Sequence, residues 1–388
     1  MNSDYLRRTC FLSLFVYLYG EPRGITRFIK TSLIQFTDYE LPLDFEKSIG
    51  YQIQTFLKNT EYNKGKMNEY YNALFRSVAN DDFFDTLYLE INLQNKLGGE
   101  CYVFRRNSEK YIIFRGSDTP IDVWIDITIE STPLIIDNIL NDKSIRIHKG
   151  FLDQLKNYNF INQITKIIDN STNIHIVGHS LGAASGLLQG YYLHHALKSE
   201  DIDISIVSVG GPVVGTSTWV NAFNRIFCSG NKHRKFIRLI NDNDIIPNLH
   251  KVAFDVLNTI PLLSQILPNI DPPKNKNDYR LEKYFNKYTY DYQHVGFETW
   301  IIQNITPLNI YNGTSLSFAK GVPQDVKWKP LPINQLKGME DCSVSNVHRY
   351  KVTRVLNEKH KFHKPDFFDV INIADNHMIE YQYWLSSK

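Results

Sequence analysis

The chain has 388 residues, of which 43% are hydrophobic and 22% are charged. This composition is typical of a folded protein and excludes bulk disorder. Lys and Arg number 43 against 41 Asp and Glu, so the charge balance predicts no nucleic-acid partner. No stretch reaches the about 18 consecutive apolar residues that a transmembrane helix needs.

Residues 1–97 are predicted to be mainly helical, with apolar residues at helical spacing around Leu74–Leu93. The apolar run 10–19 follows two arginines, as the core of a secretory signal does. Asp4 before the run and two tyrosines within it favour a buried N-terminal helix instead. The compartment stays open, with the cytoplasm slightly favoured over secretion.

The four cysteines are far apart and lack the spacing of a metal site, so we expect free thiols and no metal. They are Cys10, Cys101, Cys228 and Cys342.

The pattern changes at Gly98 to strands and helices in alternation. Cys101–Phe104 and Tyr111–Phe114 predict a hairpin. Strands are predicted after it at 173–177, 204–209 and 235–240, and helices at 151–168, 181–197 and 217–227. This alternation predicts an α/β fold with a largely parallel central sheet flanked by helices. Residues 120–143 and 252–286 fit it poorly and are predicted to be insertions or loops.

The most specific motif is Gly178-His179-Ser180-Leu181-Gly182, which lies between a predicted strand and a predicted helix. A serine at such a turn adopts a strained backbone conformation, and the flanking glycines allow strand and helix to approach closely. The motif therefore predicts an exposed nucleophile at the carboxyl edge of a sheet.

Six motifs in one order resemble the class 3 (fungal-type) lipases, and the resemblance covers about residues 98–305. They are Phe114-Arg115-Gly116-Ser117, His148-Lys149-Gly150-Phe151, the Ser180 motif, Gly210-Gly211-Pro212-Val213-Val214-Gly215, Asn243-Asp244-Ile245-Ile246-Pro247 and His294-Val295-Gly296. The resemblance implies an α/β-hydrolase catalytic domain over 98–388, with a probable insertion at 252–286 and the helical region 1–97 packed on it. It implies no organic cofactor.

Activation of a serine requires a histidine base and a carboxylate that orients it, in the chain order Ser, acid, His. Asp244 follows a predicted strand and is favoured as the acid over Asp242. The ending Asp375-Asn376-His377 loosely resembles that of the family, which favours His377 as the base. His294 and His348 remain alternatives. The predicted oxyanion donors are the backbone N–H groups of Leu181 and Ser117.

Apolar and acidic residues alternate between Ser117 and His148, which fits a short amphipathic lid over the site and also fits a half-buried strand. The lid residues would be Ile121, Val123, Trp124 and Ile125. The expected activity is hydrolysis of acylglycerol esters at a lipid–water interface through an acyl-enzyme. An sn-1 phospholipase, an esterase for soluble esters and a non-catalytic binding protein are the alternatives.

Overall fold

The structure is a computed structural model that describes part of the chain. The described residues are 3–19, 43–58, 75–76, 78–94, 100–116, 131–136, 139–157, 163, 168, 173–197, 202–241, 247, 292–295 and 299–302.

Within these ranges the helices are α1 Ser3–Phe15, α2 Ile49–Lys58, α3 Lys149–Asn157, α4 Leu181–Leu197 and α5 Ser217–Phe227. Short 3-10 turns cover Val16–Leu18 and Phe84–Thr86. The strands are β1 Tyr88–Gln94, β2 Glu100–Arg106, β3 Glu109–Phe114, β4 Ser131–Ile136, β5 Leu140–His148, β6 Asn173–His179, β7 Asp203–Val209, β8 Gly215–Thr216, β9 Arg234–Asn241, β10 Tyr292–Gln293 and β11 Thr299–Ile302.

The central sheet has seven strands in the order β1-β2-β3-β6-β7-β9-β11. The hairpin β2–β3 and the pair β1–β2 are antiparallel, whereas β3, β6, β7, β9 and β11 run parallel. A second sheet has the order β10-β8-β5-β4 and is antiparallel. The predicted α/β fold with a largely parallel central sheet, and its hairpin, are therefore confirmed.

Two predictions on local structure were wrong. The end of the stretch Leu74–Leu93, predicted to be helical, is the strand β1. Its apolar residues Leu89, Ile91 and Leu93 also alternate with period two, and β1 pairs with β2 across a bulge. Part of the 120–143 stretch, predicted as loops, forms β4 and the start of β5. These strands pair with each other and bury Leu134 and Ile136 in the core, so they are structural elements.

The central sheet is covered on both faces. One core cluster joins α1 and the 3-10 turn after it to Val177, Val207 and Leu239 of the sheet. The other joins α3, α4 and α5 to the opposite face. The apolar run 10–19 is thus buried against the sheet, as predicted for a core helix. Cys10 and Cys101 are buried free thiols.

Among the residues described, no helix combines the length and hydropathy that a membrane crossing requires.

Backbone atoms of β3, β6 and α4 approach one another closely at the carboxyl edge of the sheet. A Cβ on Gly178 would lie 2.5 Å from the nitrogen of Ala183 and closer still to the carbonyl of Gly182. A Cβ on Gly182 would lie 2.7 Å from the carbonyl oxygen of Arg115 and would overlap that of Phe114. Glycine is required at both positions because the atoms in the way belong to the backbone.

The substitution Gly182→Ala should therefore lower the free energy of unfolding by at least about 3 kcal/mol, or prevent folding. Gly186→Ala, one turn later in α4, is the matched control. Its Cβ would come closest to the side chain of Ile176, at 3.3 Å, and would meet Phe114 and the nitrogen of Gly178 at ordinary contact distances of 3.7 and 3.9 Å. Alanine also favours a helix over glycine by about 1 kcal/mol. Urea denaturation measures both variants, and equal stabilities would contradict this account of the packing.

Candidate active site

Ser180 is the single residue between the end of β6 at His179 and the start of α4 at Leu181. Its φ is +57°, in the left-handed region that residues with a side chain rarely adopt. This conformation costs roughly 1–3 kcal/mol and persists only where its surroundings impose it. Two backbone bonds hold it: the Ser180 N–H donates to the carbonyl of Val209 at 3.0 Å, and its carbonyl accepts from Ala183 at 2.9 Å.

Leu181 is the first residue of α4, so its N–H has no carbonyl within the helix to which it can donate. The amide groups at a helix N-terminus carry partial positive charge and bind anions well. An oxyanion that forms beside Ser180 would meet this amide. The role of Leu181 as an oxyanion donor stays a prediction.

The chain just after β3 lies close to Ser180. A Cβ on Gly116 would be 2.9 Å from both the Cβ of Ser180 and the carbonyl oxygen of His179. The chain thus comes close to Ser180 at Gly116. The next residue in the sequence is Ser117, which is predicted to supply the second oxyanion amide.

A buried ion pair fixes the strand that leads to Gly116. Arg115 Nη1 donates to Glu100 Oε2 at 2.7 Å, and both side chains are less than 8% exposed. The Tyr102 hydroxyl donates to the same carboxylate oxygen. Burial opposes the charge on Arg115, but Glu100 and nearby tyrosines outweigh it, so the pKa of Arg115 is raised above its usual value.

Arg115 also connects this strand to the N-terminal segment. Its Nη1 donates to the carbonyl oxygen of Tyr19 at 3.2 Å, just beyond the 3-10 turn that follows α1. No functional role was predicted for the tyrosines of this segment. Two tyrosines in an otherwise apolar helical run were the available signal, because a buried hydroxyl requires a polar partner.

Further motifs of the sequence meet in pairs. The backbone N–H of His148 donates to the carbonyl of Val214 at 2.9 Å, which joins the second and fourth motifs. Nε2 of His294 lies 2.6 Å from the carbonyl oxygen of Pro247, which joins the last two. Since a carbonyl can only accept, Nε2 of His294 carries the proton in this contact.

Of the predicted site residues, the structure brings Ser180 and Leu181 together with the end of β3. Ser117, Asp244 and His377 lie outside the described residues, as do the alternatives Asp242 and His348 and the lid residues Ile121, Val123, Trp124 and Ile125. The predicted insertion 252–286 lies there too. In the part of the chain that the structure describes, no group of three or more His, Cys, Asp or Glu side chains could hold a metal ion.

The strain at Ser180 predicts an unusual order of stabilities. Ser180→Gly should be more stable than Ser180→Ala by about 1 kcal/mol, because only glycine adopts a positive φ without a steric cost. At Ala196 within α4, where the backbone is helical, replacement by glycine should instead destabilise by about 1 kcal/mol. Chemical denaturation of the three variants tests this. An alanine variant at 180 as stable as the glycine variant would show that the turn is unstrained.

Comparison with known proteins gave one family match. The family model described as Lipase (class 3) matches residues 111–254, from β3 through the stretch after β9. A comparison with curated proteins gave no match.

Among solved structures, the chain is similar to the Lip2 lipase of Yarrowia lipolytica, with 19% identity, a TM-score of 0.43, and coverage of 63% of this chain and 73% of that one. The Rhizomucor miehei triacylglyceride lipase gives 18% identity, a TM-score of 0.39, and coverage of 65% and 75%. Lipase II from Rhizopus niveus gives 22% identity and a TM-score of 0.36, with coverage of 54% of this chain and 78% of that one.

The segment that matches the family model contains the strained serine, its glycine neighbours and five of the six motifs in full. Over residues 111–254 the chain therefore matches the class 3 lipase family.

Proposed function

We propose that this protein hydrolyses the carboxylic esters of acylglycerols, with Ser180 as the nucleophile, His377 as the base and Asp244 as the residue that orients the base. The observation that carries the proposal is the positive φ of Ser180 at the junction of β6 and α4. A fold tolerates such strain on a residue with a side chain chiefly where function requires it. The first amide of α4 lies next to this serine and suits a negative charge.

The proposed reaction has two halves. The Ser180 Oγ attacks the ester carbonyl carbon while its proton passes to His377, and the carbonyl oxygen becomes an oxyanion facing the amides of Leu181 and Ser117. The alcohol then leaves with the proton from His377, and an acyl-enzyme remains. Water, deprotonated by the same histidine, attacks the acyl-enzyme and releases the fatty acid and Ser180.

The contact of His294 supports His377 as the base. Nε2 of His294 donates to the carbonyl of Pro247, three residues after Asp244 in the sequence, so this nitrogen is not available to take a proton from serine. A ring held in this way suits a structural role between the two last motifs. Beyond it, the loose resemblance of Asp375-Asn376-His377 to the ending of the family favours His377, with His348 as the remaining alternative.

The alternation of apolar and acidic residues over 121–130 supports a lipid substrate. Segments of this kind cover an apolar acyl site in water and expose it at an oil surface. The proposed lid comprises Ile121, Val123, Trp124 and Ile125, immediately after the proposed oxyanion residue Ser117.

The substitution Ser180→Ala should reduce turnover of p-nitrophenyl butyrate and of an emulsified triacylglycerol by at least about 10⁴-fold, because it removes the atom that is acylated. The matched control is Ser185→Ala, at a buried serine within α4, which should retain wild-type activity within a factor of two.

Near wild-type activity of the Ser180 variant would reject the mechanism. If the wild-type protein is active only on soluble short-chain esters, it is an esterase. A preference for phospholipid vesicles over emulsified triacylglycerol would make it a phospholipase.

A further inference from the structure

Two tyrosines of the N-terminal segment contact histidines on one face of β6. The hydroxyl oxygen of Tyr5 lies 3.1 Å from Nδ1 of His175, and that of Tyr17 lies 2.9 Å from Nδ1 of His179. The two histidines are four residues apart on a strand, so their side chains project from the same face. The pairs share their chemistry but differ in position, because only His179 directly precedes the nucleophile.

The hydroxyl of Tyr17 has a second partner at the site. The backbone N–H of Gly116 donates to it at 3.0 Å. A phenolic hydroxyl carries one proton and accepts through its lone pairs, so it can accept from Gly116 while donating to Nδ1 of His179. One side chain therefore bridges the end of β3 and the end of β6.

The ring of Tyr17 is also held in place. It packs edge to face against His179, with the ring centroids 5.6 Å apart and the planes at 80°. The guanidinium carbon of Arg115 lies 5.3 Å from the centre of the ring. Both contacts are of kinds that favour a defined ring position, so the hydroxyl is presented to Gly116 and His179 with little freedom.

Both bridged points adjoin the groups proposed to bind the oxyanion. Gly116 directly precedes Ser117, and His179 is two residues before Leu181. Oxyanion stabilisation depends on amides held where the negative charge develops, and a displacement of about 1 Å can cost a factor of 10² in rate. The bond to Tyr17 also occupies the Gly116 amide, so this amide is not itself a donor to the oxyanion.

We propose that Tyr17 is a positioning residue of the ester hydrolase, whose hydroxyl fixes the Gly116 peptide relative to His179 and thereby aligns the two oxyanion amides. This inference rests on the proposed function. It makes the N-terminal segment a part of the catalytic framework in addition to its place in the core. Because Tyr17 acts through the backbone around the oxyanion, its hydroxyl matters more in the transition state than in ground-state binding.

The test compares Tyr17→Phe with Tyr5→Phe, since each substitution removes one tyrosine–histidine hydrogen bond between the N-terminal segment and β6. Tyr17→Phe should lower kcat/KM on p-nitrophenyl butyrate about 10-fold, while Tyr5→Phe stays within twofold of wild type. A trifluoromethyl ketone that forms an oxyanion on the serine should lose affinity by the same factor. An ether analogue of the ester, which cannot form one, should bind Tyr17→Phe within twofold of wild type. Thermal unfolding of both variants serves as the check on folding.

The positioning role is overturned if Tyr17→Phe retains wild-type kcat/KM, or if both inhibitors lose affinity equally. It is also overturned if Tyr5→Phe reduces the rate as much as Tyr17→Phe does, since the effect would then be one of general stability. A wild-type protein without any esterase activity overturns the proposed function itself, whereas an active wild type with an unaffected Tyr17→Phe variant overturns this inference alone.

Discussion

The close approach of three backbone segments around Ser180 is the constraint on which the rest of the structure depends. β3, β6 and the first turn of α4 meet where a Cβ on Gly178, Gly182 or Gly116 would overlap backbone atoms or the Ser180 side chain. This packing forces Ser180 to a positive φ and leaves the N-terminal amide of α4 beside it. The strain at one residue is offset by burial on both faces of the sheet, because neither face is left exposed to water.

The N-terminal helix contributes to the site through its packing and its polar groups. α1 supplies much of one apolar core, and the residues just after it reach the carboxyl edge of the sheet. There Arg115 binds the carbonyl of Tyr19 and pairs with Glu100 in a buried environment. Removing one partner of a buried ion pair typically costs 3–5 kcal/mol, so this arrangement resists displacement of the strand end. The region thus supports the catalytic edge mechanically and electrostatically.

Much of this organisation could be predicted from the sequence, because each signal was local. The helix at 181–197 and the strand before it were predicted by periodicity, and the glycines of the Ser180 motif indicated the sharp turn. The strand at 88–94 was missed because its apolar residues also match helical spacing. The Arg115–Glu100 pair and the Tyr17 bridge could not be predicted, since each joins residues far apart in the chain through burial that no local pattern records.

Mass spectrometry of the protein after reaction with a fluorophosphonate tests the central claim most directly, because the reagent phosphonylates only a serine that is activated as a nucleophile. We expect one phosphonyl group per chain, which peptide mapping locates on Ser180. Protein that is unfolded before the reaction should carry none. Phosphonylation at a different serine, or no reaction of the folded wild-type protein, would contradict it.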